Sequence, residues 1–205
     1  MRIGLSTPGV MLLPGVASEW EHTAGAEELA RFAVAADAAC LDYLTCAEHV
    51  AVPVADEALR GVTYWDPLST LTFLAAHTTR IRLATSVIVL GYHHPLEIAK
   101  RYGTLDRLSA GRLVLGVGVG SLAAEFDLLG KPFDGRGERA DDAIAALRAS
   151  LSRTRPTYRG EFYHYDGFRS APGLVSHRAP RRWAGGHCVP CAAPYDWPKD
   201  GCPSG

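Results

Sequence analysis

Gly116, Gly118 and Gly120 stand at alternating positions and run into Ser121, directly after the apolar stretch that begins at Arg112. Glycines placed after a strand let backbone N–H groups approach a bulky or anionic ligand, because no Cβ intervenes. Such a loop offers a cofactor seat. The second chemical signal is the pair Glu48-His49. An imidazole titrates at about 6.5 in the absence of perturbation, so it can take and return a proton near neutrality, and a neighbouring carboxylate can fix its tautomer.

Other candidates carry less. Gly118–Ala123 matches the loose dinucleotide fingerprint G-x-G-x-x-A. A dinucleotide fold places that motif after its first strand, with an acid at a later strand end about 20 residues on. Here it follows a fourth strand, and the region about that far on is helical. His93-His94-Pro95 reads as a helix start with one His at a pocket rim, since adjacent histidines diverge and seldom share a metal. His187, Cys188 and Cys191, with His177 and Cys202 nearby, hold the pieces of a four-ligand zinc site, but their surroundings lack selected structure and no metal is expected. Arg136 and Arg139 read as helix-surface charges.

Strand and helix signals alternate along the chain. Residues 3–6 form a first strand, and residues 27–39 a helix with Leu29, Phe32, Ala36 and Cys40 on one face. Residues 42–46 form a second strand. Asp66-Pro67 is an N-cap and N1 pair opening a helix that turns Leu68, Leu71 and Ala75 inward. Residues 81–90 form a long β-branched strand with almost no polar alternation, as in a strand covered on both faces. Pro95 opens the next helix, and residues 112–119 form the fourth strand. Short and long helices are expected over 122–129 and 138–151, a hairpin over 158–168, and one more strand at 182–184. Repeated strand–helix units predict a parallel sheet, either open and doubly wound or closed as a (β/α)8 barrel.

The chain has 205 residues, 47% hydrophobic and 21% charged, with net charge -1. That balance gives no field to draw nucleic acid or an anionic membrane surface. No apolar run is long enough to span a bilayer, and the cytoplasm is the default address. Cys40 and Cys46 are expected as buried reduced thiols. Residues 180–205 break the pattern: they hold five of the 13 prolines and three of the five cysteines, but no Leu, Ile or Phe. Such a segment supplies no periodic apolar face.

Several stretches together resemble the bacterial-luciferase-like superfamily of flavin- and deazaflavin-dependent oxidoreductases. They are RIGLSTP, LDYLTCAEHV, IRLATSVIVL, HHPLEIAKRYGTLDRLSAGR, RLVLGVGVGSLAAEFDLLG and GEFYHYDGF. RRWAGG and DGCPSG look like worn fifth and sixth strands. The resemblance implies an α/β fold, a partial (β/α)8 TIM barrel of about six strand units. Residues 1–179 would form the barrel portion, and 180–205 a degraded Pro/Cys-rich segment of a truncated or frame-shifted product.

The family likeness also implies the site. His49 would be the catalytic base and Glu48 its orienting acid, beside the cofactor ring. Ser86-Val87 would form a non-prolyl cis peptide backing that ring. Gly116, Gly118, Gly120 and Ser121 would line the cofactor tail, and Gly185-Gly186 would contact its phosphate. In sugar-phosphate-oxidising relatives an acid stands at the position of Ser121, which disfavours that substrate class here. The implied activity is hydride transfer between coenzyme F420 and a small organic substrate. An FMN-dependent monooxygenase and a non-catalytic fragment, a pseudo-enzyme or dimer-forming partner, are the alternatives; a homodimer is admitted.

Overall fold

A computed structural model describes residues 3–151 and 153–171. The expected strand at 182–184, the worn sixth strand, Gly185, Gly186 and the His/Cys cluster lie outside the described residues. Strand β1 (Gly4–Ser6) leads to helix α1 (Ala26–Ala38), and β2 (Tyr43–Cys46) to the short α2 (Glu57–Arg60) and α3 (Pro67–His77). The third strand position comprises β3 (Arg82–Thr85) and β4 (Ile88–Val89), followed by α4 (Pro95–Leu108). The fourth comprises β5 (Leu113–Val114) and β6 (Val117–Gly118), followed by α5 (Ala123–Leu128) and α6 (Arg136–Ser150). A two-stranded antiparallel hairpin, β7 (Tyr158–Arg159) and β8 (His164–Tyr165), comes after them.

Local chemistry explains several of these boundaries. Asp66 accepts a hydrogen bond from Ser69 N at 2.7 Å and Pro67 occupies N1, which together start α3. His94 caps α4 by accepting from Leu96 N at 3.2 Å, with Pro95 next. At the other end of α4, the Gly111 N–H returns to Asp106 O at 2.7 Å and closes the helix. The expectation for Cys40 is corrected: α1 ends at Ala38, so helical periodicity no longer governs residue 40, which lies on the exposed surface.

The sheet runs β1-β2-β3-β5, all parallel. A doubly wound sheet reverses its strand order at the switch point. Here order follows sequence, and the helices pack in the same succession, α1 on α3, α3 on α4 and α4 on α6. That is the wall of a (β/α) barrel, and it removes the dinucleotide-fold reading of Gly118–Ala123.

Register sorts the two faces. Leu5, Leu44, Leu83 and Leu113 lie side by side across the four strands and join Leu29, Leu71, Leu74 and Ile98 in the core beneath the helices. The opposite, concave face carries Gly4, Tyr43 and Arg82 in one row and Ser6, Thr45, Ala84 and Val114 in the next, around a hollow of ≈ 420 Å³.

At the N-terminal strand ends, Asp37 receives the backbone N–H groups of Thr79 and Ile81 at 2.8 and 2.6 Å. Burial pushes its carboxyl up, but these N–H donors outweigh burial and hold it below the ordinary carboxylate range. Arg112 spans the same end, donating to Thr78 Oγ1 and the carbonyls of Ala75, Ile81 and Ser109. This end fixes the scaffold. The opposite end gathers the candidate site residues.

Candidate active site

The wall of the site begins with a break in the strand ladder. Ala84 faces Val114, but the next pair is Ile88 with Val117, so the third strand carries one more residue than its neighbour. The extra residue forms a bulge at Ser86-Val87, whose peptide bond is cis. Thr85 repairs the gap: its hydroxyl donates to Gly116 O at 2.7 Å and accepts from Gly116 N at 2.8 Å. Ser86 N donates to Cys46 O and Ile88 N to Gly116 O, so the bulge leaves these backbone groups satisfied. Thr85→Val keeps the shape and removes the hydroxyl. It is expected to cost about 1–3 kcal/mol by orphaning the buried Gly116 N–H, readable as a lower urea midpoint.

The glycine series is thereby divided. Gly116 is buried in the wall, its N–H and carbonyl consumed by Thr85 and Ile88. Gly118 admits the bulge, since a Cβ there would stand 2.6 Å from Val87 Cγ2. Gly120 has φ +80 and is gripped from behind by Arg136, whose Nε donates to Gly120 O at 3.1 Å. The surface reading of the two arginines is corrected accordingly. Arg136 lies 3.9 Å over the Phe133 ring and Arg139 4.3 Å over Phe162, because a guanidinium gains from an aromatic face as well as from water.

The acid–His pairing differs from the sequence expectation. Glu48 does not orient His49. Its Oε2 accepts from Val89 N at 2.7 Å and its Oε1 meets His93 Nε2 at 2.8 Å. Successive side chains of an extended segment point to opposite sides, so adjacent residues at a strand end diverge. The partner of His49 is Glu125 in the first turn of α5, with Oε2 2.8 Å from His49 Nδ1. Tyr92 OH donates to that same oxygen at 2.7 Å, while the N–H groups of Val50 and Ala51 donate to Oε1.

The Glu125 side chain is fully buried. Burial pushes its carboxyl up, but the His49, Tyr92, Val50 and Ala51 donors together hold it below the ordinary range. Burial and the Glu125 carboxylate push the Tyr92 phenol up. With Nδ1 given to Glu125, Nε2 is the His49 nitrogen left for a ligand, and the Tyr64 ring stands edge-on to the imidazole at 4.6 Å.

These groups surround one cavity of ≈ 270 Å³. Glu48, His49, Ser86, Val87, Gly118, Gly120 and Ser121 all line it, joined by Met11, Tyr64 and Tyr92. Met11 and Tyr64 are brought over it by an antiparallel bridge between the loops after β1 and before α3. On the helix side of β2, Cys46 is 2% exposed, its Sγ 3.7 Å from Trp65 O, and burial pushes its thiol up to about 12. Among the described residues no group of three or more His, Cys, Asp or Glu is placed to hold a metal, and no helix is long and apolar enough to cross a membrane.

Sequence reasoning missed Glu125, Tyr92 and Thr85. A signal for Glu125 existed: it sits with Leu122, Phe126 and Leu129 at helical spacing, an acid on an apolar face. Thr85 gave none, because its role depends on the register of a neighbouring strand.

The chain thus builds a parallel (β/α) barrel wall that gathers an imidazole–carboxylate pair and a glycine loop at its C-terminal strand ends, the end at which barrel sites lie. Residues 7–192 match the luciferase-like monooxygenase family, and the chain belongs to that family. A curated relative, 4-hydroxyprotoasukamycin monooxygenase of Streptomyces nodosus subsp. asukaensis, is 41% identical over 86 residues, 42% of this chain and 23% of that one. Two solved structures share the fold. The oxygenating constituent of 3,6-diketocamphane monooxygenase from Pseudomonas putida, in complex with FMN, superposes with TM-score 0.69 and 17% identity, over 90% of this chain and 51% of that one. The coenzyme F420 dependent tetrahydromethanopterin reductase from Methanopyrus kandleri gives TM-score 0.66 and 19% identity, over 89% and 49%. The chain spans about half the length of these two structures.

Proposed function

We propose that the cavity seats the ring of a flavin-type redox cofactor, coenzyme F420 in the first reading, and that the protein is an oxidoreductase acting on a small organic molecule. The observation that carries this is the convergence on one cavity of the His49–Glu125 pair, the Ser86-Val87 bulge and the Gly118–Ser121 loop. The residues present fit such a ring. Gly118 keeps clear the space that Val87 fills, so the wall stays closely packed behind a flat ligand. The ≈ 270 Å³ of the cavity lies near the low end of small-molecule sites, about 300 Å³, which suits a ring system with its tail extending outside.

When bound, such a ring accepts or supplies a hydride equivalent. Ser86, Val87 and Gly118 would hold its face, and Gly120 and Ser121 its margin. His49 moves the accompanying proton at Nε2, with Glu125 fixing the tautomer through Nδ1 and stabilising the imidazolium. Met11 and Tyr64 cover the imidazole and restrict water. FMN is the second reading, favoured by the monooxygenase activity in the name of the 41% identical relative.

Fluorescence titration with F420 and with FMN tests the proposal. Saturable binding of one is expected, and absence of binding by both on folded protein would overturn it. His49→Gln is expected to retain affinity and lose turnover by about 10²–10⁴-fold; unchanged turnover would remove His49 as proton carrier.

A further inference from the structure

We propose that Tyr92 is a positioning residue that sets how strongly His49 holds its proton, acting through the carboxylate oxygen both side chains share. The inference deepens the reading of His49 as proton carrier and rests on it. Glu125 Oε2 is contacted by two groups, His49 Nδ1 at 2.8 Å and Tyr92 OH at 2.7 Å. Oε1 is separately held by the backbone N–H groups of Val50 and Ala51. Those two donors help to hold the carboxyl low, alongside the two at Oε2. Tyr92 and His49 therefore compete for the charge on one atom, in a fully buried setting where such competition is poorly screened.

The groups packed round the imidazole are few. Glu125 comes from α5, Tyr92 from the turn after β4, and Tyr64 from the loop before α3 with its hydroxyl given to Arg60 O. Glu48, one residue back, is engaged by His93 and Val89 N. No other described side chain makes a hydrogen bond to Oε2. The Tyr92 ring also packs edge-on against Phe126 at 4.9 Å. Tyr92→Phe keeps that packing and removes the hydroxyl alone.

Without the phenol, the full Oε2 charge faces Nδ1–H and stabilises imidazolium, so the His49 titration midpoint should rise by about 0.5–1 pH unit. The measurement is a pH titration of the imidazole nitrogens by NMR on the intact chain, with the His49 signals assigned by their loss in His49→Gln. An unchanged or lowered midpoint in a folded Tyr92→Phe protein would overturn the inference. A second reading needs no variant: with tyrosine labelled at the ring Cζ, the Tyr92 resonance should inflect at the His49 midpoint, and a flat response would overturn the inference equally. Neither readout uses cofactor or turnover. A protein that binds neither F420 nor FMN yet shows the shift would lose the proposed function and keep this coupling.

Discussion

Glu125→Ala is expected to lower folding stability by about 3–5 kcal/mol and to remove turnover, the largest effect of any single change at the site. The magnitude is that of deleting one partner from a buried charged cluster. Four donors lose their acceptor at once: His49 Nδ1, Tyr92 OH and the N–H groups of Val50 and Ala51. The pH dependence has a defined sign. The folded protein holds the Glu125 carboxyl below its ordinary value, so its contribution is complete above the unfolded value and fades as pH falls through the folded one. Chemical denaturation at pH 7 and in the acid range should therefore show the parent losing stability that the variant never had. Equal stabilities at pH 7 would refute the buried-cluster account.

Among the glycines lining the cavity, Gly120→Ala should be the most damaging, at about 2–5 kcal/mol together with loss of binding at the proposed cofactor seat. Two costs combine. An L side chain at φ +80 is strained by roughly 1–2 kcal/mol. Its Cβ would also stand 2.6 Å from Phe126 Cε2 and 2.7 Å from Val89 Cγ1, and overpacking a closed site costs about 1–3 kcal/mol. Phe126 is fully buried and packed by Tyr92 and Phe133, so the strain is passed into the turn that carries Tyr92. Thermal melting and ligand titration of the variant read the two effects separately. A melting temperature equal to the parent's would show that the loop can relax freely.

How much of this was legible in the sequence follows from the range of each interaction. Asp66-Pro67 and Pro95 start helices by contacts within a few residues, and both are readable as such. The choice between an open sheet and a barrel depends on strand order, which no local signal contains; only the family likeness bridged it. The same holds for the Ser86-Val87 bulge, whose repair by Thr85 requires a neighbour 31 positions away. Glu48 was paired with His49 because the two are adjacent in sequence. Alternation along an extended chain should have argued the reverse. The true acceptor lies 76 residues on, reached because successive strand ends of a barrel converge on one rim. Of the His93-His94 pair, for which the sequence leaves open which ring reaches the rim, His93 is the one that pairs with Glu48.

The thiol of Cys46, enclosed in the core on the helix side of β2, has a protective consequence. Oxidants and alkylating agents attack sulfur as thiolate, and burial, by pushing this thiol up to about 12, disfavours that form. The proposed redox site can thus tolerate a sulfur atom two residues from Glu48 without self-inflicted damage. Reaction at that atom would report that the barrel wall itself had come apart.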